Sequence, residues 1–167
     1  MSKKYTFWLV IGSQQLYGQE VLKEVAEHGK IMTKGLDKDD EIPFNLICKP
    51  VVTTPNEISQ ICKAANNDDN CAGVITWMHT FSPSKMWING LTILNKPYLP
   101  LNTQFNRNIP YDSIDMNFMN TNQSAHGDRE HGFIAARLRL KRKVICGYWE
   151  DSDTKKRIGD WMRSAVG

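Results

Sequence analysis

The stretch Tyr5–Gly18, YTFWLVIGSQQLYG, decides how the rest of the chain is read. Tyr5–Ile11 is a nearly continuous run of aromatic and β-branched residues. A strand with one wet face would alternate with polar residues, so this run predicts a strand covered on both faces. The turn Gly12–Gly18 follows it. Leu22, Val25, Gly29, Met32 and Leu36 then recur at three- and four-residue steps, which predicts an amphipathic helix. Lys3 and Lys4 ahead of an apolar run superficially suggest a secretory signal. The run is short, carries no small-residue cleavage site and passes straight into Gly-Ser-Gln-Gln, so a first strand is the better reading.

The same alternation continues. Phe44–Lys49 predicts a second strand. Thr54-Pro55-Asn56-Glu57 has the form of a capping box, with Thr54 as N-cap, Pro55 at the first helical position and Glu57 reaching back. Ile58, Ile61, Cys62 and Ala65 form that helix's inward stripe. After the polar run Asn66–Asn70 comes a third strand, Ala72–Met78. Ser82-Pro83 is expected to open a third helix that turns Met86, Trp87, Leu91 and Leu94 inward. Pro97–Leu101 predicts a fourth strand, kept short by its prolines. Asn102–Gln123 shows no period. A helix over His126–Leu140, a strand over Lys143–Trp149 and a helix over Asp153–Val166, with Ile158, Trp161, Met162 and Ala165 on one face, complete the pattern. Strands and helices in strict alternation predict an α/β fold: a doubly wound, mainly parallel sheet with helices on both faces, a Rossmann-like three-layer sandwich. Residues 1–167 are expected to form a single domain, ending after a helix as at a domain boundary.

Composition sets outer limits. With 41% hydrophobic and 23% charged residues, disordered and fibrous classes are excluded. A net charge of +3 is too mild to imply a nucleic-acid partner. No apolar run approaches the ~20 residues of a membrane span. The four cysteines have neither CxxC nor zinc-finger spacing. Cys48, Cys62 and Cys146 are expected as small buried hydrophobes, with Cys71 at the edge of a turn. Reduced thiols in a cytoplasm fit this usage.

In parallel α/β sheets, ligands bind beyond the carboxyl ends of the strands. That rule selects Gly12–Gly18, Pro50–Thr54, His79–Ser82, Asn102–Gln123 and the turn after Trp149. Gly12–Gly18 is neither GxGxxG nor a P-loop. Its bulky, amide-rich centre suits neutral hydroxyls better than phosphate, the alternative being a plain turn with amides in solvent. Trp77–Pro83 sets aromatic rings beside a histidine and hydroxyls, a plausible wall for a sugar. The alternative places Trp77 in the core, His79 on a backbone group and Ser82 as a helix cap. In Gln123–His131, His126 and Glu130 stand four residues apart on a helix. A metal site would need further ligands, and none is suitably spaced. A helix start with acidic residues near its positive end is favoured, and His126 can still face the cleft. The basic run Arg137–Lys143 is best explained by cations at a helix C-terminus, ahead of a phosphate or nucleic-acid patch.

Several segments, in order along the chain, resemble L-arabinose isomerase. They are Trp8–Gly18 (WLVIGSQQLYG), Trp77–Ile88 (WMHTFSPSKMWI), Thr103–Asn106, Asp112–Asn120 and Arg157–Arg163 (RIGDWMR). The resemblance implies the N-terminal domain of a longer enzyme that converts L-arabinose to L-ribulose, with D-galactose to D-tagatose as a side activity. It implies a Mn²⁺ ion held by two glutamates and two histidines, all beyond Gly167, where the family's central and C-terminal domains follow. It implies hydrogen movement between C1 and C2 of the opened sugar. On this reading the chain holds no catalytic residue and no metal ligand, and is inactive alone. It contributes substrate contacts: Gln14, Leu16 and Tyr17 from the first loop, with Phe81, Gln123 and His126 approaching the site, some from a neighbouring subunit. The expected partners are a monosaccharide and further copies of the chain, with neither nucleic acid nor membrane. A stand-alone sugar-binding or interaction module is the alternative.

Overall fold

The computed structural model describes residues 4–167. Five parallel strands form one sheet: β1 (Thr6–Ile11), β2 (Asn45–Cys48), β3 (Cys71–Trp77), β4 (Tyr98–Asn102) and β5 (Ile145–Cys146). Their spatial order is β2-β1-β3-β4-β5, every adjacent pair parallel. Because successive side chains leave a strand on opposite faces, the two faces can be read residue by residue. Phe7, Leu9 and Ile11 of β1 join Val25, Met32 and Leu36 of α1 (Gly18–Asp37) and Ile158 and Met162 of α6 (Ser152–Val166). Trp8 and Val10 join Ile58, Cys62 and Ala65 of α2 (Pro55–Asn67) and Leu91 of α3 (Ile88–Ile93) on the other face. Both faces are covered, which is why the strand shows no polar alternation. This is the doubly wound three-layer α/β sandwich.

The capping box forms as expected. Thr54 Oγ1 accepts the Glu57 N–H at 3.2 Å, while Glu57 Oε2 accepts the backbone N–H of Thr54 at 3.1 Å and of Thr53 at 2.7 Å. Helix α1 is preceded by a 3₁₀ turn, Gln15–Tyr17, and entered through Gly18 at φ +80°, a conformation that residues bearing a Cβ seldom adopt.

Several expectations need correction. The prolines do not shorten β4, which runs five residues, Tyr98–Asn102, with Pro100 inside it. Val74 N–H donates to the Pro97 carbonyl, and Lys143 N–H to that of Tyr98. Pro97, Leu99 and Leu101 therefore face β3, and Pro100 turns its missing N–H towards the edge strand. That edge is where pairing suffers: β5 is two residues long, not Lys143–Trp149. The segment Asn102–Gln123 contains a short helix, α4 (Met116–Thr121), capped by Asp115 Oδ1 on Phe118 N–H at 2.8 Å. The third helix starts as a 3₁₀ turn, Ser84–Trp87, before α3. Helix α5 spans Ser124–Arg137 and has no acidic residue in its first turn. Cys71 is buried at the start of β3 and Cys62 is buried in α2, but Cys48 is only half-buried and Cys146, on the edge strand, is exposed. Among the described residues, no helix is long and apolar enough to cross a membrane.

Candidate functional site at the switch point of the sheet

After β1 the chain leaves to one side for β2, and β3 returns on the other, so the strand order reverses between β1 and β3. Ligands of doubly wound sheets bind at this point, beyond the carboxyl ends of the strands. The loops that meet here are 12–18, from β1, and 78–83, from β3.

The two are joined tightly. Gly12 N–H donates to the Trp77 carbonyl at 3.1 Å and Ser13 N–H to that of Val52 at 3.0 Å. Thr80 Oγ1 donates to Ser13 Oγ at 2.7 Å. A Cβ at Gly12 would lie 2.7 Å from Ser82 Oγ and 2.8 Å from Trp87 Cζ2, so only glycine fits. Ser82 is not a helix cap: its hydroxyl accepts the Trp87 indole N–H at 3.0 Å. Trp77 is core, as its alternative reading held, and its indole N–H reaches the Thr103 carbonyl at 2.9 Å.

On this platform stand the six residues singled out in the sequence. Gln14 is half-buried with an extended backbone, Leu16 is 84% exposed and Tyr17 is half-buried. Phe81 meets the His126 ring edge-on, centroids 4.9 Å apart. Gln123 N–H donates to the His79 carbonyl at 3.1 Å, and its own carbonyl accepts the N–H groups of His126 and Gly127. Close packing of Gly127 on Met78 seats the start of α5 on the end of β3. Phe81, Gln123 and His126 are thus brought together, with Gln14, Leu16 and Tyr17 on the adjoining loop joined through the Ser13–Thr80 bond.

His126 and Glu130 diverge despite their spacing. Glu130 Oε2 accepts the Ser84 N–H at 2.8 Å, while His126 packs on Phe81.

Two buried histidine arrangements were not legible in the sequence. His79 does not satisfy a backbone group; its Nε2 lies 2.8 Å from His28 Nδ1, a bond that spans 51 residues between β3's loop and α1. His79 stacks on Trp77 and His28 on Phe105. Burial, reinforced by the neighbouring His28, pushes the His79 pKa down to about 3, and burial lowers His28 against the pull of Glu24 and Glu27. Both rings are neutral near pH 7 and share a single proton in their bond. Further under the sheet, His131 bonds Tyr98 and stands within reach of Thr76 and Ser84, with its pKa pushed down to about 4 by burial. On the same helix, burial pushes the Asp128 carboxyl up to about 8.

These residues do not fit a divalent metal. Among those described, no three His, Cys, Asp or Glu side chains converge. His28 and His79 are engaged with each other, and His131 is enclosed by hydroxyls.

The whole chain, residues 1–167, matches the model of the family described as the L-arabinose isomerase N-terminal domain. It is 60% identical over 164 residues to the L-arabinose isomerase of Geobacillus thermodenitrificans, covering 98% of this chain and 33% of that protein. To that of Halalkalibacterium halodurans it is 58% identical over 165 residues, 99% of this chain and 33% of the relative. To that of Escherichia coli O157:H7 it is 56% identical over 162 residues, 97% and 32%. The chain therefore spans about a third of the length of the curated relatives it matches. With a family model matched over its whole length, the chain belongs to the L-arabinose isomerase N-terminal domain family.

Proposed function

We propose that this chain supplies one wall of the monosaccharide site of an aldose–ketose isomerase that interconverts L-arabinose and L-ribulose, with D-galactose to D-tagatose as a side activity. The carrying observation is the clustering of Phe81, Gln123 and His126 on loops joined, through the Thr80–Ser13 bond, to the loop that carries Gln14 at the switch point of the sheet. The Gln14 side-chain amide offers both donor and acceptor to sugar hydroxyls. Leu16, Tyr17 and Phe81 supply apolar surface for the C–H faces of the ring, and Gln123 and His126 reach its edge.

The chemical step belongs elsewhere. The ligands of the Mn²⁺ ion, two glutamates and two histidines by family resemblance, come from polypeptide outside residues 1–167; of this chain's own histidines, His28 and His79 are engaged with each other and His131 with Tyr98. The site is completed where subunits of a homo-oligomer meet. The exposed side chains of Ile109, Tyr111, Met116 and Met119, on the segment leading to α5, support an interface of this kind. The cytoplasm, where sugars and divalent cations are both at hand, is the proposed compartment.

The test joins residues 1–167 to the remaining two thirds of the Geobacillus thermodenitrificans relative and assays ketose formation with Mn²⁺. Gln14→Ala in that chimera is expected to lower kcat/KM by about five- to tenfold, the worth of a hydrogen bond of ~1–1.5 kcal/mol. An unchanged kcat/KM removes Gln14 from the site. Turnover by the 167-residue chain alone would contradict the division of labour.

A further inference from the structure

At the opposite end of the sheet, the amino ends of β4 and β5, lies a cavity of about 580 Å³. Its apolar lining comes from Leu91, Leu94, Tyr98, Leu140 and Trp161. Asn95 and Pro97 join it, and Lys96, Lys141, Arg142 and Lys143 are its charged residues. The last three belong to the basic run expected to cap a helix, but α5 ends at Arg137, and only that residue lies in its last turn. The helix dipole therefore does not account for Lys141, Arg142 and Lys143, which line the cavity instead.

These cations differ from those around α6, on the neighbouring helix. Around α6, Lys155, Lys156, Arg157 and Arg163 each pair with an aspartate. Among the described residues, none of Lys96, Lys141, Arg142 and Lys143 forms an ion pair with a carboxylate. Lys96 Nζ donates to the Asp68 backbone carbonyl at 3.0 Å and Arg142 Nη1 to that of Leu140 at 3.3 Å. Arg142 Nε is buried without an acceptor. The segment that presents them turns at Arg139, whose φ of +53° lies in the left-handed region where a residue with a Cβ is strained. Like charges gathered round a concave, low-dielectric wall focus a positive field into it.

We propose that this cavity is a second binding site, for a phosphomonoester of a small metabolite, distinct from the sugar-facing loops at the other end of the strands. A phosphomonoester carries about −1.5 to −2 charges at neutral pH, which answers several unpaired cations better than one carboxylate does. The volume falls in the ~300–1,000 Å³ range of small-molecule sites, so there is room for a body beyond the phosphate. The apolar floor and the half-buried Trp161 ring give that body a surface to lie on. A smaller recess of about 300 Å³ shares Lys143 and Trp161 and is lined further by Arg157, Ser164 and Asp160, whose carboxylate is paired with Lys156 and Arg163.

The experiment titrates the 167-residue chain with adenosine 5′-monophosphate, ribose 5-phosphate, inorganic phosphate, adenosine and a short single-stranded oligonucleotide, reading heat and Trp fluorescence. Both monophosphates are expected to bind, each at least tenfold tighter than inorganic phosphate, with adenosine silent. Arg142→Gln is expected to weaken them at least tenfold. Lys143→Gln, at an exposed position where folding is not at stake, is expected to weaken them at least threefold without moving the thermal midpoint. Binding of inorganic phosphate as tightly as the esters, preference for the oligonucleotide, or affinities that ignore Lys143→Gln would each overturn the proposal. So would absence of binding at millimolar ester.

Discussion

The stability of this chain should peak near pH 6.5 and fall on both sides, for two different buried reasons. His79 and His131 have folded-state pKa values of about 3 and about 4, against an ordinary 6.5, because burial disfavours their charged forms. Depressed values mean that the unfolded chain binds protons which the folded chain refuses. Their contribution is full above pH 6.5 and is lost as pH falls towards 4, at about 1.4 kcal/mol per pH unit for each ring. Asp128 works the other way. Raised from 3.8 to about 8, it keeps in the folded state a proton that the unfolded chain releases, so its contribution disappears as pH rises to 8. Between pH 4.5 and 6 two protons oppose one, leaving a net loss of about 1.4 kcal/mol per unit on acidification. His28, lowered by burial, adds in the same direction. Between pH 6.5 and 8 Asp128 acts alone and the slope reverses, costing about 2 kcal/mol over that window. Urea unfolding followed by Trp fluorescence at half-unit pH steps measures both limbs. Asp128→Asn should abolish the alkaline limb and roughly double the acid slope. A wild-type profile that is flat from pH 6.5 to 8, or a variant with the same profile as wild type, refutes the assignment.

Three further outcomes test the packing that places the loops. Gly12→Ala should cost about 1–3 kcal/mol by overpacking against Ser82 and Trp87, lowering Tm by roughly 2–12 °C, and Ser82→Gly in the same chain should recover part of it. Additive effects in that pair would show that the two loops do not touch as described. Thr54→Ala should cost about 1 kcal/mol by opening the capping box, and a loss below roughly 0.3 kcal/mol in urea unfolding would contradict its geometry. In native chain a thiol-disulfide reagent should label Cys146 rapidly and Cys62 only on unfolding, since burial pushes the Cys62 thiol up to about 12. Native labelling of Cys62 would count against the seating of α2.

What could be read in advance followed from local rules. The uninterrupted apolar run of β1 announced a strand covered twice, and Thr54-Pro55-Asn56-Glu57 announced its helix to the residue, because both signals lie within a few positions of the structure they specify. Boundaries failed where a distant partner decided them. Pro100 was tolerable inside β4 because its missing N–H faces β5, a fact of register that spacing does not contain. The His28–His79 bond joins residues 51 apart, and no periodicity relates them. His126 and Glu130 stand one turn apart on the helix, yet Ser84 and Phe81 draw the two side chains apart, which bears out the preference for a plain helix over a shared site. The six candidate contacts came from family resemblance, and the switch-point rule independently selects the loops that hold Gln14, Leu16, Tyr17 and Phe81.

The proposed contact surface stands on a polar platform. Ser13, His79, Thr80, Ser82 and Ser84 are all fully buried beneath the mouth, where an unmade hydrogen bond costs more than a made one contributes. Thr80 Oγ1 to Ser13 Oγ, Trp87 Nε1 to Ser82 Oγ and His28 Nδ1 with His79 Nε2 tie β1's loop, the 3₁₀ turn Ser84–Trp87 and α1 to β3's loop. Each bond crosses between elements, so a shift of either loop breaks a bond that water cannot replace. The side chains above, Gln14, Leu16, Tyr17, Phe81 and His126, make few such commitments and remain half-buried or exposed. Holding the backbone fixed removes the loops' own ordering cost from the proposed ligand binding and leaves only the side-chain tips to be ordered. An apolar foundation would pack as densely, but it would not fix the register of the two loops, because apolar contacts lack direction. The buried hydroxyls and the histidine pair supply that direction, and on this argument removing one, as in Thr80→Val, should loosen the Gln14 loop before it unfolds the sheet. Amide exchange at residues 13–17 that stays at wild-type rates in Thr80→Val would show that the loop is held by something else.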